Sequence, residues 1–232
     1  AGAGKTSTLN HTARAMLAAG QVKKGVYVGF NKVTADEAKA KFPSGFDCRT
    51  GHSLAFASHG RKLGHKLPAP SGRRGRKAMK MVDVAKALRL DAVLLDAESG
   101  DDAESRWVQP DTLARLALST VEKFYRSARD EIDRRSLPRD IAPEGIVTEQ
   151  FDAAVLEAAR RMWADHASAD GHLQMPHDAY RKLWALSRPR LFADVVMLDE
   201  AQDTPPVLAR VVQDQQMQQI VVGDSCQQLY AW

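Results

Sequence analysis

Two glycines, a lysine and a threonine stand together near the start of this chain, in the run Gly2, Ala3, Gly4, Lys5, Thr6, Ser7. Glycines let a backbone curl until successive N–H groups point at one anion. A helix that begins there adds its positive end to the same site. In that setting Lys5 reaches the outer phosphates of a nucleoside triphosphate, and the Thr6 hydroxyl completes the shell of a Mg²⁺ ion. The plainer alternative is a Gly-rich turn carrying a surface lysine.

A phosphate loop needs a second carboxylate site, and the stretch DVVMLDEAQD, residues 194–203, offers one. Four apolar residues run into Asp199 and Glu200, at the strand end where α/β sheets place their ligands. Asp199 would hold the metal, directly or through water. Glu200 would orient or deprotonate an attacking water. A solvated acidic loop is the bland alternative. The last stretch, IVVGDSCQQLYAW, is a third apolar run followed by Gly223, Asp224, Gln227, Tyr230 and Trp232. A neutral Gln beside a terminal phosphate can report its presence by hydrogen bonding without competing for metal. Trp232 is either core or a platform on which a base stacks.

Elements that would position these groups alternate at both ends of the chain. Leu9, Ala13, Met16 and Leu17 recur at helical spacing, and Gly20 ends that helix. Val26–Phe30 suits a buried parallel strand, and a helix from about Thr34 to Lys41 closes at Pro43 and Gly45. Residues 46–51 hold a further short strand, with a helix from His52 onward. Val195–Leu198 and Ile220–Val222 are strand runs, and Pro205 and Pro206 fit the first turn of a helix between them. The middle is different. Leu113, Leu116, Val121, Phe124, Ala128 and Ile132 mark one long helix, and Phe151, Val155, Ala159, Met162 and Trp163 mark another. Composition therefore predicts an α/β layer of residues 1–60 and 191–232, split by a helical insertion of residues 61–190.

Charge is a weak guide here, because the net +4 hides a segregation. Eight Lys or Arg and no acid lie between Arg61 and Lys80, among Pro68, Pro70, Gly72 and Gly75; six acids and no base lie between Asp91 and Glu104. The basic stretch reads either as a nucleic-acid contact or as a solvated loop. Cys48 and Cys226 match no metal or redox spacing, which makes a reducing compartment the default. No apolar run is long enough to span a bilayer. With no initial Met and a phosphate loop cut at its first position, the chain is expected to be a piece of a longer protein.

AGAGKT, LDEAQD and VGDSCQQLYAW, in that order, resemble motifs I, II and III of superfamily 1 DNA helicases of the UvrD/Rep type. GFNKVTADEAKAKFP and RTGHSLAF resemble the motif Ia region and the segment after it. FNK, ADEAK and HDAYRKLW bring the chain closest to the F-box DNA helicase branch and its bacterial relatives. The resemblance covers roughly residues 1–58 and 177–232. It implies a RecA-like P-loop domain with a parallel sheet, interrupted by an all-helical insertion. It also implies ATP and Mg²⁺ as cofactors and 3′-to-5′ movement on single-stranded DNA in repair or recombination.

Position by position, the resemblance implies that Gly2, Ala3, Gly4, Lys5, Thr6 and Ser7 hold the nucleotide. Thr6 and Asp199 hold the metal, Glu200 is the base and Gln227 contacts the terminal phosphate. Gln202 and Asp203 couple the nucleotide site to the DNA. Phe30, Asn31, Thr50, His52, Ser53, Tyr230 and Trp232 lie along the strand. Asn31 has a second reading as a helix cap and His52 as a buried, satisfied imidazole. Gly51 departs from the family by replacing the usual aromatic before His52. Single-stranded DNA and its junctions with duplex are the implied partners, with no membrane, in a bacterial cytoplasm or a nucleus. A second RecA-like domain would complete the ATP cleft. The competing readings are a DNA- and nucleotide-binding module without turnover, and a helicase–nuclease subunit.

Overall fold

The computed structural model describes residues 4–68, 79–96, 105–138, 147–224, 226 and 228. In chain order come α1 (Lys5–Ala18), β1 (Gly25–Gly29), α2 (Lys32–Lys41), β2 (Phe46–Thr50) and α3 (Gly51–Ala55). Next are α4 (Met81–Ala87), β3 (Val93–Leu95), β4 (Arg106–Val108), α5 (Pro110–Arg126), α6 (Thr148–Ala167) and α7 (His177–Leu186). The last are β5 (Val195–Leu198), α8 (Pro206–Gln213) and β6 (Gln218–Val221). The chain divides into two compact units: residues 1–61, 126–128 and 181–232 form one, and residues 62–125 and 129–180 form the other.

The first unit is built on a four-stranded parallel sheet in the order β2-β1-β5-β6. Register is continuous across it: Tyr27 lies beside Cys48 and Met197, and Met197 beside Ile220. β1 and β5 are buried at every position, as expected of central strands covered on both faces. Leu9, Ala13 and Met16 bring α1 onto Tyr27, Phe42, Phe46, Val195 and Met197 to make the core. The side chains that would bind a ligand sit at the other end of this logic. All four strands run the same way, so residues just after β1, β2, β5 and β6 collect on one edge of the sheet.

The second unit packs α5 and α6 through an aromatic cluster. The Phe124 and Trp163 rings meet edge-on at 5.4 Å, and Tyr125 lies 5.6 Å from Trp163. Two expectations need correction here. The insertion is not all-helical: β3 and β4 form an antiparallel ribbon, with Leu94 opposite Trp107. The first long helix also ends at Arg126, so Ala128 and Ile132 lie beyond it, with Ile132 buried all the same. Apolar spacing continues past a helix end whenever the loop that follows also covers the core.

Part of the basic stretch is not solvated either. Lys66 is 3% exposed. Its ammonium donates to the carbonyls of Asp165 and Ser168 at 2.5 and 2.8 Å and lies 3.6 Å from Asp165 Oδ1. Burial pushes its pKa below the ordinary lysine value, against the pull of Asp165. Arg73, Arg74, Arg76 and Lys77 fall outside the described residues. No described helix is long and apolar enough to cross a membrane.

Candidate nucleotide site

Gly4 precedes α1 with φ +71°, a left-handed conformation that glycine adopts without strain. The turn delivers Lys5, Thr6 and Ser7 to the first turn of the helix, where backbone N–H groups have no partner within the helix. Across the sheet edge, β5 ends and the chain turns sharply. Glu200 is held at φ 49°, ψ 49°, which costs a residue with a side chain about 1–3 kcal/mol. That turn aims two adjacent carboxylates at the start of α1.

The two motifs meet there. The Thr6 hydroxyl donates to Asp199 Oδ2 at 2.5 Å, across 193 positions of sequence. Lys5 Nζ lies 3.2 Å from Glu200 Oε2. Asp199 is fully buried and yet takes three hydrogen bonds: one from Thr6, one from the Tyr27 hydroxyl at 2.8 Å, and one from the Glu200 N–H at 2.9 Å to Oδ1. A buried carboxylate survives only with such donors. Beside the site, a cavity of about 100 Å³ is lined by Thr6, Ser7, Asn10, Thr34 and Lys41 among others.

The residues after β5 reach on to β6. Gln202 donates through Nε2 to Glu200 Oε2 at 2.7 Å and accepts at Oε1 from the Asp224 N–H at 2.9 Å. It therefore joins the acidic pair to the turn that leads to Gln227. A Cβ at Gly223 would lie 2.8 Å from Gln202 Oε1, so a side chain there would push against this link. Asp203 is 5% exposed and 3.4 Å from Gln202 Nε2.

On the same edge, Phe30 is half-buried after β1, and Asn31 is exposed. Asn31 caps α2: its Oδ1 accepts from the Thr34 N–H at 2.9 Å. Thr50 and Ser53 form a reciprocal capping box at the start of α3, each side chain accepting the other's N–H at 3.1 Å. His52 accepts at Nε2 from Arg181 Nη1 at 3.0 Å, which fixes the imidazole in its Nδ1–H form. Gly51 is filled from outside. A Cβ there would lie 2.4 Å from Leu208 Cδ2, so α8 occupies the volume that a side chain would need. Gly2, Ala3, Gln227, Tyr230 and Trp232 lie outside the described residues.

Sequence reasoning missed Tyr27 and Arg181. The signal for Tyr27 was available: a hydroxyl in the middle of a buried apolar strand has to find a partner. Arg181 stood in the HDAYRKLW segment with no role attached, and no spacing rule connects it to His52, 129 positions away.

The donor set fits a nucleotide-bound Mg²⁺. One carboxylate and one hydroxyl, both oxygen, lie together beside a helix start, and Mg²⁺ commonly takes one or two protein carboxylates plus phosphate oxygens and water. Among the described residues there is no cluster of three or more His, Cys, Asp or Glu that would hold a metal alone.

A family model described as an AAA domain matches residues 1–232. The chain belongs to this family. The family is typical of superfamily 1 helicases of the UvrD/Rep type, and the relatives agree. The chain is 30% identical over 241 residues to F-box DNA helicase 1 of Gallus gallus, covering all of this chain and 22% of that protein. It is 25% identical over 237 residues to F-box DNA helicase protein 1 of Schizosaccharomyces pombe, covering all of this chain and 25% of that protein. The chain thus spans about a quarter of the length of these curated relatives. The parallel sheet and the flanking helices are those expected of a P-loop domain of this family.

Proposed function

We propose that the chain is the first motor domain of an ATP-dependent DNA helicase, and that it hydrolyses ATP to move 3′ to 5′ along single-stranded DNA in repair or recombination. The observation that carries this reading is the meeting of Thr6 with Asp199 and of Lys5 with Glu200. Two segments at opposite ends of the sequence bring the phosphate-binding and metal-binding groups of an NTPase within bonding distance.

This geometry supports the following roles. Lys5 leaves Glu200 for the outer phosphates, while the N–H groups following Gly4 cradle them. Thr6 and Asp199 would hold Mg²⁺, which would supply positive charge against that developing on the phosphates. Glu200, released from Lys5, accepts a proton from the attacking water. Gln202 is bonded to both Glu200 and the Asp224 backbone, a route by which the state of the nucleotide reaches the β6 turn and Gln227. Asp203, packed beside it, belongs to the same link. Phe30, Asn31, Thr50, His52 and Ser53 share the sheet edge with the site, and with Tyr230 and Trp232 they would form the single-strand track. For Asn31, Thr50 and Ser53 that contact would use atoms left over from capping. A second RecA-like domain would close the cleft. The partners would be single-stranded DNA and its junctions with duplex, in a nucleoid or a nucleus.

Turnover of ATP with and without single-stranded DNA tests the proposal. Stimulated hydrolysis abolished by Lys5→Ala supports it. Binding of DNA and nucleotide without turnover, unchanged by Lys5→Ala, would replace it with a binding module.

A further inference from the structure

Tyr27 is wholly buried at the centre of β1. Its ring stacks at a tilt on Phe42, with centroids 4.8 Å apart. Its hydroxyl donates to Asp199 Oδ2 at 2.8 Å. We infer that Tyr27 is a positioning residue for the metal-binding carboxylate: its hydroxyl locks the rotation of Asp199 and thereby sets the affinity of the site for Mg²⁺. The inference rests on the nucleotide reading above.

A carboxylate can swing about its last torsion at little cost, and which oxygen faces the metal changes with that swing. Here both oxygens are tied. Oδ1 takes the Glu200 N–H, and Oδ2 takes Thr6 and Tyr27. Thr6 cannot do this work alone, because its hydroxyl sits on α1 and has to serve the metal with its own lone pairs. Tyr27 comes from the neighbouring strand, whose register beside β5 is fixed by Tyr27 lying opposite Met197. Of the two donors to Oδ2 it is therefore the one whose position does not depend on the phosphate loop. Partners that orient a metal ligand in this way change metal affinity by about 10- to 100-fold when removed.

The test is Tyr27→Phe in the full chain, which removes the hydroxyl and keeps the ring on Phe42. Calorimetric titration with a non-hydrolysable ATP analogue, in EDTA and again in Mg²⁺, separates the two contributions to binding. The expected result is metal-free affinity within twofold of wild type, with the gain on adding Mg²⁺ reduced by about tenfold. A manganese titration read by electron paramagnetic resonance should show the same loss without any turnover. An undiminished Mg²⁺ gain overturns the inference. So does an equal loss in both arms, which would mark a merely structural role. Failure of the nucleotide reading is seen separately, as absence of analogue binding by the wild-type chain.

Discussion

Replacing Glu200 with Gln should tighten nucleotide binding while stopping hydrolysis. Lys5 Nζ and Glu200 Oε2 are 3.2 Å apart, and their side chains are 17% and 34% exposed. At that separation two unit charges attract by about 5 kcal/mol for an effective dielectric of about 20. Partial exposure, side-chain entropy and counter-ions cut the net worth of such a pair to about 1 kcal/mol. Lys5 has to break this pair before it reaches a phosphate, so the pair competes with the ligand. Glu200→Gln removes the competitor and keeps an oxygen for Gln202 to donate to, which leaves the turn intact. Nucleotide affinity should therefore rise about fivefold, the equivalent of about 1 kcal/mol. The proposed proton acceptor is lost at the same time, and turnover should fall by about 100-fold or more. A fluorescent ATP analogue titrated at low and at high salt measures the first effect, and the wild-type disadvantage should shrink as salt screens the pair. A folded Glu200→Gln variant that binds nucleotide no better than wild type at low salt would refute the reasoning.

Two further outcomes follow from the packing. His166 is 3% exposed and pairs with the Tyr125 hydroxyl at 2.5 Å. Burial, reinforced by Lys66, pushes its pKa down to about 4 from 6.5. Above about pH 6.5 neither the folded nor the unfolded chain carries this charge; below it the unfolded chain takes up a proton that the native state refuses, so stability falls as pH drops toward about 4. Urea unfolding should lose about 2 kcal/mol between about pH 7 and 5 from this group, and His166→Phe should flatten that slope even though it lowers stability at neutral pH. At Gly51, an added methyl meets Leu208. Gly51→Ala should cost about 1–3 kcal/mol by overpacking, and the double variant with Leu208→Ala should cost less than the sum of the single ones, as thermal unfolding of all four proteins would measure.

The candidate residues that meet in the structure, Lys5, Thr6, Asp199 and Glu200, were legible in the sequence because they stand in local patterns. A glycine-rich turn into a helix and an apolar run into two acids each specify a backbone shape and a side-chain set within ten residues. The long helices were legible for the same reason, apart from the end of α5, since a buried face leaves a three- and four-residue period. The ribbon of β3 and β4 was not, because strands of three residues are too short to show a period. Lys66 was read as part of a loop that either contacts nucleic acid or is solvated, because its neighbours in sequence are basic and polar. Its burial is decided by Asp165 and Ser168, about 100 positions away.

By itself, then, the sequence marked candidate residues for phosphate and metal, and the order of strands and helices in the α/β layer. Tertiary structure decided what each carboxylate is bonded to. It set Tyr27 on Asp199, Gln202 between Glu200 and Asp224, and Arg181 on His52. It also gave Asn31, Thr50 and Ser53 capping duties alongside any ligand. The physical reason is the same in each case. A buried polar group has to be paired, and in a parallel sheet its partner comes from a neighbouring strand or a distant helix, whose identity is fixed by strand order and register and leaves no trace in local spacing.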